Sequence, residues 1–314
     1  MKQYKLYIWL LFFLTSCLNK NKLSLINEAG LEMQNFIIRI SEYAKQFKTN
    51  FIVIPQNGIE LSFNNLEQRN GINTHFLKAI DGFGIEELFY KGKFAVDSER
   101  NFMIEKIKPY KKIFVSDYIS NNNEINDAYD RIYSLGYLCF VRTKKNYDYK
   151  EIPPKIPYEN DSDISDINCV QNFLYIINFE KFTTKNEVIQ AIASTNFDLI
   201  IMDLFYDGNE FTASDLKKLK TKANGGKRLV ISYVNIGAAE KFRYYWRSEW
   251  NSKKPSWITK KYKGYKDEYW VKFWTKEWQD IIYGNNNSYV KKIIDAGFDG
   301  VYLDNVEAYY YLFK

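Results

Sequence analysis

The chain has 314 residues, of which 46% are apolar and 18% aromatic, enough to bury the core of one large α/β barrel or of two small domains. This composition excludes a largely disordered chain. The net charge of +6 arises from 44 basic and 38 acidic residues. These form neither a long basic block nor an arginine-rich arm, so nucleic-acid binding has little support.

The first twenty residues predict an export signal. Two lysines precede an apolar run (6–14) that is too short to span a membrane. The run ends in LTSC, which resembles the bacterial lipobox, so we expect cleavage after residues 1–16 and lipid attachment at Cys17. An ordinary secretory signal with a chance cysteine is the alternative. Residues 17–24 would be a short tether, and the protein would be secreted to the cell envelope and anchored to a membrane by its lipid.

Cysteine and histidine offer little material for a catalytic or metal site. Cys139 and Cys169 are two isolated cysteines, which are a weak framework for a disulfide. His75 is the only histidine and lies in a polar loop, so a histidine-rich metal site or a Ser-His-Asp triad would depend on that residue alone. We therefore expect carboxylate chemistry without a metal or an organic cofactor.

Short β-rich runs alternate with helical patterns, which is typical of parallel α/β architecture. The predicted strands span 50–58, 79–88, 112–119, 137–143, 173–179, 197–204, 228–237, 269–275 and 298–306. Helical patterns span 38–47, 126–136, 212–226 and 289–297, with Gly225 as a helix stop in the third. Nine strands are one more than a barrel needs, and the periodicity alone does not separate a closed barrel from an open sheet.

Residues 145–172 interrupt this alternation. They hold three of the six prolines and show no sustained apolar period. The pattern predicts a linker that divides the chain into a shorter first part and a longer second part.

Polar side chains end most of the predicted strands. In a barrel these ends converge on one face, where active sites lie. A single carboxylate such as Asp117 or Asp203 could simply cap the following helix. Several charges placed after buried strands are harder to explain by packing, because burying an unpaired charge costs free energy. The residues concerned are Gln56, Asn57, Glu86, Glu87, Asp117, Asp203, Asn235, Glu240, Asp304 and Glu307.

Six of the seven tryptophans lie between residues 246 and 278. Aromatic faces stack on sugar rings, although they crowd ordinary cores as readily. Because the cluster lies between carboxylate-bearing strands, we interpret it as part of a carbohydrate cleft.

Three segments resemble glycoside hydrolase family 114, the endo-α-1,4-polygalactosaminidase family. They are YVNIGAAEKFRYYW (233–246), YWVKFWTKEWQDIIY (269–283) and DAGFDGVYLDNVEAY (295–309). Ala238 stands where the family usually has Glu, and Glu307 replaces the usual Asp. The resemblance implies a (β/α)8 TIM barrel and an endo-acting glycosidase.

The order of the similar segments implies that the barrel is circularly permuted. The regions 36–61 and 79–90 are similar to the family's sixth and seventh strand regions, and the run at 112–119 to its end. Family strands 6–8 would come first (25–144), then the linker, then strands 1–5 (173–314), with 137–143 as an extra strand. We expect the strand ending at Asp304 to pair in parallel with 50–58. An open sheet or two half-domains is the alternative.

Carried over by motif, the resemblance implies that Asp304 is the nucleophile and Glu86 the general acid/base, with Glu87 as the rival for the second role. A retaining glycosidase needs such a pair. We expect a raised pKa for Glu86 and an Asp304 that stays ionised. The predicted substrate-binding residues are Gln56, Asn57, Glu87, Asp117, Asp203, Tyr233, Asn235, Glu240, Trp274 and Glu307.

The function predicted is that of a secreted lipoprotein glycoside hydrolase that cleaves an amino-sugar-containing polysaccharide by a two-carboxylate retaining mechanism. Its partners would be the polysaccharide and, through the lipid on Cys17, a membrane. The alternative is a carbohydrate-binding or adhesion lipoprotein that keeps the barrel without turnover, which the departure at Ala238 leaves open.

Overall fold

The computed structural model describes residues 3–145 and 147–314, with the side chains of 3–20 excepted. The predicted signal peptide (1–16) and the predicted lipidation site Cys17 lie outside the residues whose side chains are described. Within the described part, no helix is both long enough and apolar enough to cross a membrane.

Thirteen strands and nine helices are assigned in the described residues. The strands are β1 (Ile52–Pro55), β2 (Gly82–Phe94), β3 (Lys112–Ile119), β4 (Leu138–Arg142), β5 (Phe173–Ile176), β6 (Leu199–Asp203), β7 (Phe205–Tyr206), β8 (Asn209–Glu210), β9 (Leu229–Asn235), β10 (Ala238–Glu240), β11 (Ile258–Lys261), β12 (Glu268–Val271) and β13 (Gly300–Asp304). The helices are α1 (Gln3–Phe47), α2 (Thr74–Ala79), α3 (Ser98–Ile107), α4 (Ile125–Ser134), α5 (Lys185–Ala193), α6 (Ala213–Leu219), α7 (Lys276–Ile282), α8 (Tyr289–Ala296) and α9 (Ala308–Tyr311).

Eight parallel strands form the centre of the fold. Five make a sheet in the order β1-β13-β9-β6-β5, and three make a sheet in the order β2-β3-β4. The pairing of β1 with β13 runs in parallel, with Ile54 opposite Tyr302, so the pairing predicted for these two segments is present. This is an α/β fold with a parallel central sheet, consistent with a TIM-like architecture.

The two parallel sheets meet at β1 and β2. The backbone N–H of Asn57 donates to the carbonyl of Gly84 at 2.8 Å, and the N–H of Asp81 donates to the carbonyl of Val53 at 2.8 Å. At the other two sheet edges, β4 and β5 approach each other through the rings of Phe140 and Phe173, whose centroids are 6.0 Å apart.

Gly84 is a glycine because Tyr302 fills the space beside it. A Cβ on Gly84 would lie 2.1 Å from the Tyr302 hydroxyl oxygen, closer than any two unbonded heavy atoms can approach. The missing side chain on β2 therefore lets a large ring from β13 enter the space between the sheets.

The prediction that 269–275 is a strand of the parallel sheet is wrong. Its strand part, β12, pairs in antiparallel fashion with β10 and β11 in a separate three-stranded sheet. The run 137–143, expected to be an extra strand, is β4, which pairs in parallel with β3. All five residues of β4 are buried, as parallel strands covered on both faces require. Four parallel strands therefore precede residues 145–172 and four follow, instead of three and five.

The helices match the predicted patterns with two differences. The pattern at 38–47 is only the end of α1, whose buried residues recur at helical spacing (Met33, Phe36, Ile37, Ile40 and Ala44). The pattern at 212–226 is too long, because α6 ends at Leu219 and Gly225 lies in a later turn with φ of +93°. The sequence 145–172 has a single 3-10 turn (Ile167–Cys169) within its described residues, yet it packs on the sheets through buried Tyr149, Ile164 and Val170.

Candidate active site

The carboxyl ends of the parallel strands open into a cleft of about 1900 Å³. Its floor and walls carry most of the polar strand-end residues predicted from the sequence. Those that line it are Gln56, Asn57, Glu86, Glu87, Asp203, Tyr233, Glu240, Asp304 and Glu307.

Asp304 ends β13 at the floor of the cleft. One carboxylate oxygen accepts a hydrogen bond from the Tyr233 hydroxyl at 2.6 Å, and the other accepts one from the backbone N–H of Asn305 at 2.6 Å. Burial and then the negative charge of Glu86 raise the pKa of Asp304 to about 7, although the two hydrogen bonds favour the ionised form. Asn305 has a left-handed backbone with φ of +58°, so the chain turns sharply after the carboxylate.

Glu86 lies on β2 and faces the same cleft. Asn57 holds it from two sides, because its amide nitrogen donates to the carboxylate at 3.3 Å and its oxygen accepts from the Glu86 backbone N–H at 3.0 Å. The Tyr149 hydroxyl donates to the other carboxylate oxygen. Burial raises the pKa of Glu86, and the hydrogen bond from Tyr149 and the charge of Arg142 oppose this rise.

Asp304 and Glu86 stand on strands that are separated by β1 alone. Adjacent strands are about 4.8 Å apart, so the two backbones are about 10 Å apart and the side chains can lean toward a shared point. We expected Asp304 to stay ionised, but its pKa is raised together with that of Glu86. Asp304 is half-buried and lies near two further carboxylates, Glu86 and Glu240.

Arg243 binds two of the predicted substrate-binding carboxylates. Its guanidinium donates to Asp203 at 2.8 Å and to Glu240 at 2.7 Å, and all three side chains are buried. Burial raises the pKa of Glu240, and the charge of Arg243 opposes it. Asp203 and Glu240 line the cleft, but both already share one cation, Arg243, within the protein.

Glu87 is the weaker candidate for the general acid/base. It forms an ion pair with Arg142 and a second, at 3.2 Å, with Lys91. Its left-handed backbone, with φ of +51°, lies where the pairing of β2 with β3 is interrupted after Glu86. Of the two adjacent glutamates, Glu86 is the one that shares the floor with Asp304.

Two cleft carboxylates lack such a cation. Glu268, on β12, makes no side-chain hydrogen bond or ion pair with any described residue, and burial together with Glu240 and Asp304 raises its pKa to about 8. Glu307 has a pKa raised to about 7 by burial and by Glu60, with the charge of Arg100 opposing. Arg100 itself donates to Asn57 at 2.7 Å.

Three predicted substrate-binding residues do not line the cleft. The fully buried Asp117 accepts hydrogen bonds from backbone N–H groups of β2, and Asn235 accepts from those of Gly237 and Ala238 in the turn after β9. Trp274 stacks on Phe313, with ring centroids 6.3 Å apart. Asp117 and Asn235 hold the backbone, and Trp274 packs against the core.

The tryptophan cluster is not a carbohydrate platform, since no tryptophan whose side chain is described lines the cleft. The six rings pack on one another and on the core; Trp278 is fully buried and donates to the Ile236 carbonyl at 2.8 Å. Tyrosines supply the aromatic lining instead: Tyr147, Tyr149, Tyr175, Tyr206, Tyr233, Tyr244, Tyr262, Tyr265 and Tyr311.

Several residues of the cleft were not predicted from the sequence. Arg243 follows β10 closely and could have been inferred as the partner of the neighbouring carboxylates. Glu268 immediately precedes the run 269–275, which was predicted to belong to the parallel sheet. Tyr149 lies in the segment interpreted as a linker, and no sequence pattern in that segment indicated a site residue. Among the described residues, no group of three or more His, Cys, Asp or Glu side chains is arranged to hold a metal ion.

The chain is similar in sequence to one protein family and to several curated proteins. The sequence profile of glycoside-hydrolase family GH114 matches residues 169–312, a region that contains Asp304 but not Glu86. An uncharacterized protein of Methanocaldococcus jannaschii is 39% identical over 133 residues, covering 41% of this chain and 36% of the relative. An uncharacterized protein of Thermotoga maritima is 33% identical over 120 residues, covering 38% of this chain and 36% of the relative.

The chain thus spans about a third of the length of the curated relatives it matches. The family resemblance seen in the sequence is confirmed by the profile, whose match supports a glycoside hydrolase. Residues 169–312, with the cleft-floor carboxylate Asp304, match the model of glycoside-hydrolase family GH114.

Proposed function

We propose that the cleft hydrolyses glycosidic bonds, with Asp304 as the nucleophile and Glu86 as the general acid/base. The observation that supports this most is the pairing of two half-buried carboxylates on one cleft floor, close enough for the charge of Glu86 to raise the pKa of Asp304. Glycosidases place such a pair on either side of the scissile bond.

In the proposed reaction, ionised Asp304 attacks the anomeric carbon while protonated Glu86 donates its proton to the leaving oxygen. Glu86 then takes a proton from water, which attacks the glycosyl-enzyme ester and frees Asp304. Tyr233 and the Asn305 N–H orient the attacking carboxylate. When the ester forms, Asp304 loses its negative charge, so Glu86 can carry the charge left by its proton without repulsion from Asp304.

The proposed substrate is a polysaccharide that contains amino sugars, and the proposed cleavage is internal. The carboxylates Glu268 and Glu307, which form no direct ion pair with a cation in the described part of the chain, favour a cationic ligand. The tyrosine lining offers flat faces for sugar rings. A cleft of about 1900 Å³ has room for several sugar units.

The test is product analysis by mass after incubation with a panel of amino-sugar polymers and neutral polymers. We expect the wild type to release oligosaccharides from an amino-sugar polymer, and Asp304→Asn to lose roughly a thousand-fold or more of the rate. Asp295→Asn, the same change at an exposed site on α8, is the matched control and should keep the wild-type rate. Binding of a polymer without release by the wild type would favour the adhesion alternative.

We also propose that the eight parallel strands close into a barrel in permuted order. Hydrogen bonds between β1 and β2 and the contact between Phe140 and Phe173 support closure. The parallel pairing of β1 with β13 supports the permutation, because it brings the first strand of the chain beside the last. With β4 counted as a barrel strand, the order becomes four family strands from the second half followed by four from the first.

For the N-terminal residues we propose export followed by lipid attachment at Cys17, on the motif LTSC alone. In a bacterial host, wild-type protein should partition into the detergent phase and Cys17→Ser should not. Equal partitioning of the two proteins would rule the anchor out.

A further inference from the structure

Tyr149 lies outside every motif considered so far. It belongs to residues 145–172, between β4 and β5, and outside the region matched by the family profile. Its backbone is left-handed, with φ of +42°, yet its side chain is buried. A strained backbone at a buried tyrosine persists only when surrounding contacts hold it.

Those contacts fix both the backbone and the ring. The carbonyl of Tyr149 accepts the N–H of Ile177 at 3.0 Å, just past the end of β5. Its ring stacks on that of Tyr175, with centroids 3.8 Å apart and planes at 19°. Tyr175 in turn donates to Gln56 at 2.8 Å. The ring therefore has one position, set by β5 and its neighbours.

The hydroxyl of Tyr149 stands between two side chains. It donates to the carboxylate of Glu86 and lies 3.0 Å from the Ser116 hydroxyl of β3. Ser116 is fully buried. A hydroxyl can reverse its direction, so the row Ser116, Tyr149, Glu86 can donate toward an ionised carboxylate and accept from a protonated one.

We propose that Tyr149 is a positioning residue for the general acid/base Glu86, and that residues 145–172 complete the active site by placing Tyr149 beside Glu86. The role rests on the proposed function of Glu86. Because Tyr149 supports the carboxyl group in both protonation states, it suits a residue that must act first as an acid and then as a base.

Other titratable groups face Glu86 and share in its electrostatics, so the test must separate Tyr149 from them. They are Glu87, Arg142, Tyr147, Tyr175, Tyr262, Tyr265, Tyr302, Asp304 and Glu307. A variant that removes only one oxygen atom from Tyr149 leaves all of these in place.

The experiment is a carboxyl-carbon NMR titration of the full chain labelled at glutamate, with Glu86→Gln used to assign the Glu86 signal. We expect Tyr149→Phe to move the titration midpoint of Glu86 upward by about one pH unit, because the hydrogen bond lost from the ionised carboxylate is stronger than the one lost from the protonated carboxyl. Tyr133→Phe is the matched control. Its hydroxyl donates to the Gln171 carbonyl at the other end of the same segment, and it should leave the midpoint unchanged.

Ser116→Ala provides a second variant, should Tyr149→Phe fail to fold by near-ultraviolet circular dichroism. It removes the hydroxyl that orients Tyr149 and should give a smaller upward shift. An unchanged or lowered midpoint in the folded variant, or an equal shift in Tyr133→Phe, would overturn the proposal. The titration needs no substrate, so wild type that cuts no polymer would refute the proposed function without deciding the role of Tyr149.

Discussion

At the residue scale, burial raises the pKa of both Asp304 and Glu86, and the negative charge of Glu86 raises that of Asp304 further. Unperturbed carboxyls would ionise near pH 4. Here Asp304 ionises near pH 7. The state with one proton on the pair, which the proposed reaction requires, is therefore populated around neutral pH.

The first prediction concerns the pH profile of kcat/KM. Its acidic limb should lie near pH 7, because the nucleophile must be ionised. Tyr233→Phe removes a hydrogen bond to ionised Asp304 and should move that limb to higher pH. Steady-state rates on the cleaved polymer between pH 4 and 10 test this, and full activity at pH 4.5 would contradict it.

Glu268 leads to a prediction about stability. Its pKa is about 8 in the folded chain and about 4.3 when unfolded. A raised pKa contributes most to stability below pH 4, and this contribution is lost as the pH rises through 8. Glu268→Gln should therefore raise the free energy of unfolding at pH 9 by about 1–2 kcal/mol, with little effect at pH 4.

Urea denaturation at the two pH values measures this effect. Glu277→Gln, at an exposed position on α7, is the control and should change neither value. A destabilised Glu268→Gln at pH 9 would show that the carboxylate has a favourable partner in the folded protein.

At the element scale, β2 contains an irregularity that places Glu86. Its pairing with β3 shifts between Glu86 and Lys91. There Asp117 accepts the backbone N–H groups of Leu88, Phe89 and Tyr90 at 2.7, 3.1 and 3.0 Å. The carboxylate replaces the hydrogen bonds that the strand loses at this bend.

We predict that Asp117→Asn lowers the free energy of unfolding by about 1–3 kcal/mol, because an amide N–H2 would face backbone donors. Glu86 would move with the bend, so kcat should fall more than KM rises. Urea denaturation and steady-state kinetics measure both effects. Unchanged stability, or a loss confined to KM, would restore the sequence-based assignment of Asp117 to substrate binding.

The sequence predicted an element well where only one arrangement could bury its apolar residues. The segment 112–119 coincides with β3, because an apolar run flanked by polar residues has few alternatives. The prediction for the run 269–275 (YWVKFWT) failed because a short run rich in aromatic residues fits an antiparallel strand as well as a barrel strand. Tyr149 could not be predicted, since its hydrogen bond to Glu86 joins residues 63 positions apart.

At the scale of the whole molecule, the pairing of β1 with β13 joins residues about 250 positions apart. Such a contact carries a large loop-closure cost and favours slow folding. The sequence motifs indicated this pairing through the family resemblance alone. The apolar periods could not, because they do not specify which strands are neighbours.

Barrel closure gives the fourth prediction, measured by hydrogen exchange. If β4 and β5 close the barrel, their amides should exchange as slowly as those of β13, within about tenfold, because no edge is open to solvent. The exposed β11 serves as the fast reference. Exchange in β4 and β5 as fast as in β11 would indicate an open sheet.

The most direct test of the central claim is the cleavage rate of Glu86→Gln, Asp304→Asn and the double variant on one amino-sugar polymer. Two groups that act as a unit lose most of the rate when either is removed. We predict that each single variant loses roughly a thousand-fold or more, and that the double variant is no slower than the slower single. Losses that multiply, or a single variant with the wild-type rate, would contradict the account.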